Sequence, residues 1–222
     1  MASGHRSLRG ARLCGIGFAV LFTLALTALL GELFGAFADS AESFAAYFDS
    51  TADRLRHAVG TYLLAGSGFA FLAFTVKTTA GVLDDRELAT DVGMARAAAT
   101  VFASLVGLAA AALGTVSLSV GFGQITGDPG IRASQELLPQ LGYVVLVVPG
   151  ALSAALTIWL IASVCAQTAA LPTWVVAAGY VVAVTQLLSF YSLPLVLLPV
   201  WVLAASATLR EPRPRPAAAI VG

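Results

Sequence analysis

From Leu137 to Leu209, 73 consecutive residues, the chain carries no charged side chain. A helix crosses a bilayer core about 30 Å thick with about 20 mostly apolar residues. The stretch is too long for one or two crossings and fits three, so breaks are expected inside it. One falls at Ala166-Gln-Thr-Ala-Ala-Leu-Pro172, where polar residues precede a proline suited to a helix start. The other falls at Ser189-Phe-Tyr-Ser-Leu-Pro194. Spans four, five and six are then expected at 140–164, 172–190 and 193–209.

Upstream, three more apolar runs are bounded by charge: 13–31, 58–76 and 97–122. Charged residues make up 11% of the chain, against roughly 25% in a soluble domain, whose surface needs them. Most of the outer surface therefore faces lipid. The expected fold class is all-α, a six-span transmembrane bundle (13–209) between a short N-terminal segment (1–12) and an Arg/Pro/Ala-rich tail (210–222) that reads as disordered. The first run has a rival reading as a signal peptide, because Arg6, Arg9 and Arg12 precede it and Ala36-Phe-Ala38 follows it. Its 19 residues exceed the usual apolar core of about 7–15, which favours a retained span. No internal repeat is visible between spans one to three and four to six.

Six spans place the N-terminus, the 77–96 loop and the C-terminus on one side, with nine of the twelve Lys and Arg residues. Positive charge is retained in the cytoplasm during insertion, so both termini are expected there. Twelve acidic residues balance the twelve basic ones, which gives no electrostatic case for a nucleic-acid partner. Eleven of those basic residues are Arg and Ala is abundant, a bias of GC-rich bacterial genomes; a bacterial cytoplasmic membrane is the expected location.

Between spans one and two, Asp39 to His57 reads as an external amphipathic helix. Phe44, Tyr47, Phe48, Thr51 and Leu55 share one face, and Glu42, Asp49, Asp53 and Arg56 the other. Asp49, Asp53 and His57 stand at i, i+4 and i+8, a spacing at which two carboxylates and an imidazole meet. Arg54 and Arg56 compete with any cation there and no second ligand cluster exists, so the wet face of an interfacial helix is the better account and no metal or cofactor is assigned.

Ionisable residues inside a membrane are functional by default, and none lies well inside these spans. Neutral polar groups remain: Gln140, Tyr143 and Thr157 in span four, Tyr180, Thr185 and Gln186 in span five. Such groups commonly join helices by hydrogen bonds. Gln140, Tyr143, Tyr180 and Gln186 are also the candidates for a substrate path. Pro149 and Pro199 are expected to kink their spans. Gly66-Ser-Gly68 and Ala109 to Gly114 are expected to let neighbouring helices approach closely. Gly31-x-x-x-Gly35 has dimerisation spacing but straddles the membrane edge.

Catalytic readings fail. Gly66-Ser67-Gly68 lacks the glycine that a rhomboid-type protease motif needs at position 65, which is Ala, and neither histidine, His5 or His57, lies inside a span. There is no HExxH, intramembrane aspartate pair or P-loop. Cys14 and Cys165 sit in or beside apolar runs and read as small packing residues.

Three stretches carry a resemblance: Phe44 to His57 running into Gly60-Thr-Tyr-Leu-Leu64, Leu137-Leu-Pro-Gln-Leu-Gly-Tyr143, and Leu197-Leu-Pro-Val-Trp-Val-Leu203. The chain resembles a family of uncharacterised six-span bacterial integral membrane proteins of about this length, mostly of high-GC Gram-positive type. The resemblance implies the six-helix architecture and no activity. The expected function is that of a non-enzymatic membrane subunit or interaction protein, its partners being the lipid bilayer and another membrane protein or itself. The alternative is a small permease for an uncharged or lipid-like solute.

Overall fold

The computed structural model describes residues 2–30, 50–80, 87–121, 129–191 and 193–211. Every regular element among them is a helix. Helix α1 spans Ala2–Leu30, α2 Thr51–Thr79 and α3 Ala89–Gly121. Next, α4 (Pro129–Val145) passes through a π-helical turn at Leu146–Gly150 into α5 (Ala151–Thr168). Helix α6 (Thr173–Thr185) continues as a 3₁₀ segment, Gln186–Tyr191, and α7 spans Leu193–Thr208.

Four of these segments are long and apolar enough to cross a membrane: Leu8–Leu29, Thr51–Thr79, Ala89–Thr115 and Leu137–Thr168. The two remaining apolar helices, Thr173–Leu188 and Pro194–Thr208, are shorter. Both expected breaks in the charge-free stretch fall where the chain turns. Helix α5 ends on Ala169 in the left-handed region, φ 52°, where a non-glycine residue costs roughly 1–2 kcal/mol. Ala170 N–H then closes on the Cys165 carbonyl at 3.1 Å. Pro172, extended at ψ 146°, starts α6, and its carbonyl accepts from Val175 and Val176.

Helix α2 starts seven residues before the apolar run from which span two was read. Ser50 caps it, its hydroxyl accepting from Asp53 N–H at 3.4 Å while its carbonyl accepts from Arg54 N–H, as N-cap residues do. Residues 39–49 of the expected external helix lie outside the described residues; its end, from Thr51, is continuous with α2. The expected 210–222 tail is likewise outside them from residue 212 onward.

Helices α1, α2 and α3 meet over a ring cluster. Phe71 lies 5.0 Å from Phe18 and 4.8 Å from Phe102, centroid to centroid, and Phe18 stacks on Phe22 at 5.2 Å. All four are fully buried. Glycines set the helix separations. A Cβ on Gly68 would stand 3.3 Å from the backbone of Ala103 in α3, and one on Gly114 would stand 3.2 Å from Thr61 Oγ1 in α2. Both belong to the segments expected to allow close approach. Gly31 and Gly35 lie outside the described residues.

At one end of the bundle, arginines close helix C-termini, whose last carbonyls lack partners. Arg12 of α1 donates to the Leu209 carbonyl after α7 at 2.6 Å. Arg96 of α3 donates to Thr79 Oγ1 at 3.0 Å and to the Val76 carbonyl at 3.1 Å. Arg210 N–H bonds the Ala170 carbonyl in the α5–α6 turn at 2.8 Å. Each bond places a cation against the negative end of a helix dipole or ties down the adjoining chain.

Candidate functional site

The strongest polar feature of the interior lies at the end opposite those arginines, where two helices lose their regular ladders. In the α4–α5 rod, Pro149 has no N–H to give and its ring crowds the preceding turn, so the helix widens to a π-turn. Ser153 Oγ donates to the Gly150 carbonyl at 2.8 Å and Thr157 Oγ1 to the Ser153 carbonyl at 2.8 Å. The expected kink is therefore a one-turn widening, and the hydroxyls below it are spent on their own helix.

The second irregular element is the 3₁₀ segment after α6, where Leu188 leaves helical geometry at φ −99°, ψ 17°. Gln186 opens it and is fully buried. Its Nε2 donates to the Pro194 carbonyl at 2.7 Å, spanning the turn into α7. Because a carbonyl only accepts, the amide nitrogen is the end that faces Pro194. Its Oε1 is then left buried and without a hydrogen-bond partner among the described residues. A buried acceptor left in that state costs about 1–3 kcal/mol.

The four path candidates separate. Tyr143, half-buried, rests with Leu26 on the cluster of Val147, Ala151 and Leu195. Gln186 bonds Pro194, the neighbour of Leu195, so both flank the first turn of α7. Tyr180 instead sets its ring edge-on to Trp159 at 4.7 Å, on a side where Trp159 is exposed. Gln140 is exposed, on the outward side with Leu137, Leu141 and Val144. Thr185 donates to the Val182 carbonyl of its own helix.

The Asp49–Asp53–His57 stripe is placed in part. Asp49 lies outside the described residues, Asp53 is half-buried, and His57 is fully buried. Leu55, from the expected apolar face, is 65% exposed. Among the described residues no three His, Cys, Asp or Glu side chains gather to hold a metal. Cys14 and Cys165 are free, Cys165 buried in the core.

Two roles were missed from sequence. Trp201 Nε1 donates to the Val175 carbonyl at 2.9 Å and joins α7 to α6. Its signal was legible, since a Trp inside a charge-free span brings a donor that needs a partner. Gly142 in α4 is the other: a Cβ there would stand 2.9 Å from the Ala109 carbonyl oxygen of α3. A single glycine gives no sign of which backbone it approaches.

No protein family, curated protein or solved structure matches this chain. Its functional reading therefore stands on this geometry alone.

Proposed function

We propose that this chain is a non-enzymatic membrane subunit: a six-span bundle of a bacterial cytoplasmic membrane that works by holding another membrane protein or a second copy of itself. What carries the reading is the state of the interior. It is filled by phenylalanine rings and small residues, and among the described residues its buried hydroxyls, Thr78 excepted, bond carbonyls of their own helices. Ser67 bonds Leu64, Thr75 bonds Phe71, Thr157 bonds Ser153 and Ser206 bonds Val202. A catalytic site needs a nucleophile, a base and an acceptor converging on a reacting atom; these hydroxyls are dispersed and occupied.

The six-span topology rests on the two shorter helices joining the four long ones, and the same topology underlies the resemblance to six-span bacterial proteins. The orientation rests on the cluster of Arg12, Lys77, Arg96 and Arg210 at one end. That end faces the cytoplasm under the positive-inside rule. Affinity purification from the native membrane in mild detergent, with mass spectrometry of what co-elutes, tests the proposal. A stoichiometric membrane-protein partner, or a stable homo-oligomer, is expected. A monodisperse single chain without a partner overturns it.

Gln186 favours one other reading, a small permease for an uncharged or lipid-like solute, because its amide oxygen is buried and accepts no hydrogen bond among the described residues. Under that reading Gln186→Ala and Tyr143→Ala abolish an uptake or efflux phenotype at unchanged protein level. An unaltered phenotype in both removes it.

A further inference from the structure

We infer that α1 and α7 form a binding site for one anionic phospholipid, with an acyl chain in the groove between them and the phosphate at Arg9 and Arg12. The two helices touch near the arginine end, where a Cβ on Gly15 would collide with Ser206 Oγ. Further along, their outward faces leave a gap. Ala19, Thr23 and Leu24 of α1 and Pro199, Val200 and Leu203 of α7 then line a groove of about 340 Å³ whose walls are almost wholly apolar. Small Ala19 on one wall and the compact ring of Pro199 on the other leave the space.

The groove opens on the lipid-facing side: Val20 is 50% and Val200 59% exposed. It continues towards the bundle end as a single stripe on α1. Arg9, Leu13, Ile16, Val20 and Thr23 follow one another at spacings of three or four, the repeat of one helical face. Leu13 and Ile16 are exposed, as are Arg9 and Arg12. Arg12 gives one N–H to Leu209 and keeps the remainder of its five donors. A cationic pair therefore stands at the foot of an apolar slot on the same face.

The dimensions fit a lipid better than a helix. Ten residues separate Arg9 from Ala19, about 15 Å at 1.5 Å per residue. Half of the hydrocarbon core is also about 15 Å. A headgroup at Arg9 thus lies at the membrane surface while its chain reaches the groove near mid-membrane. A phosphate accepts from guanidinium forks in a way that a neutral helix partner does not, and this selects the anionic lipid as occupant.

The test is native mass spectrometry of the purified full chain mixed with equal phosphatidylglycerol and phosphatidylcholine. The wild type is expected to retain one phosphatidylglycerol in preference to phosphatidylcholine. Each basic residue near a membrane surface contributes about fivefold to anionic lipid binding, so Arg9→Gln lowers the preference about fivefold. Thr23→Trp and Val200→Trp fill the slot from opposite walls, at exposed positions outside the core, and each is expected to abolish retention. Equal retention of both lipids by wild type and Arg9→Gln overturns the inference. So does unchanged retention in both tryptophan variants. A photocrosslinker at position 23 that captures a polypeptide in place of lipid overturns it in favour of a protein interface.

Discussion

Helices α1–α3 and helices α4–α7 bury similar apolar side chains but hold themselves together differently. The first three run 29, 29 and 33 residues without a proline or a break. Aromatic rings and glycine contacts join them. The later helices carry Pro139, Pro149 and Pro199, and the π and 3₁₀ segments break their regular ladders. Polar side chains bind backbone between them, Gln186 to Pro194 across the turn into α7 and Trp201 of α7 to Val175 of α6. In lipid no water replaces a lost ladder bond, so a broken helix must recruit a neighbour's donor or acceptor. The regular helices rely mainly on shape, with Arg96 of α3 adding polar bonds to Thr79 and Val76 at the end of α2.

This contrast makes quantitative claims, and the largest concerns the rings. Phe71 lies at the centre of the cluster with Phe18, Phe74 and Phe102, so Phe71→Ala is expected to cost about 3–5 kcal/mol by leaving a cavity. Reversible unfolding in mixed micelles measures it, and a loss below that of the polar substitutions would erase the contrast. Gly142→Ala should follow, at about 1–3 kcal/mol, because the new methyl meets the α3 backbone at Ala109 and Leu113, which cannot swing aside.

In the second half, Gln186→Ala removes the strap to Pro194 together with its own buried acceptor, for a net loss of about 1 kcal/mol. Faster proteolysis at the 3₁₀ segment is the accompanying sign. Trp201→Phe keeps most of the ring, and the Val175 carbonyl lies inside α6, where the helix ladder still serves it. A cost of about 0.5–1.5 kcal/mol is expected. The smallest effect has the opposite sign. Gly17 lies inside α1, and a methyl added there would meet nothing within 4 Å, so Gly17→Ala should stabilise the bundle by up to about 1 kcal/mol.

The helices were legible because length and charge-free runs decide what crosses a bilayer, and the breaks because Pro172 and Pro194 announce them. Faces were not. In water an apolar stripe marks the core; in lipid both faces are apolar, and small or weakly polar residues mark the inside. In α2 the buried residues include His57, Thr61, Leu64, Ser67, Gly68, Phe71 and Thr75, while Leu55, Tyr62 and Phe69 point outward. Read by soluble rules, Leu55 and His57 exchange places. Extending the spacing of Gly60, Leu64, Ser67 and Phe71 back by one turn would have put His57 on the buried side.

The candidate site divides the same way. Composition marked Tyr143 and Gln186 as polar residues inside spans, and spacing along the chain could not show that Gln186 bonds Pro194 and Tyr143 packs on the Leu195 cluster while Gln140 turns outward and Tyr180 sets its ring against Trp159. The groove depends on Gly15 meeting Ser206, residues of the first and last helices. By itself the sequence determined that the chain is helical, where its apolar runs lie and where the charge-free stretch turns, because backbone bonding in lipid is satisfied within each segment. Only the tertiary structure decided which residues face one another, because that depends on the shapes of side chains brought together from distant parts of the chain.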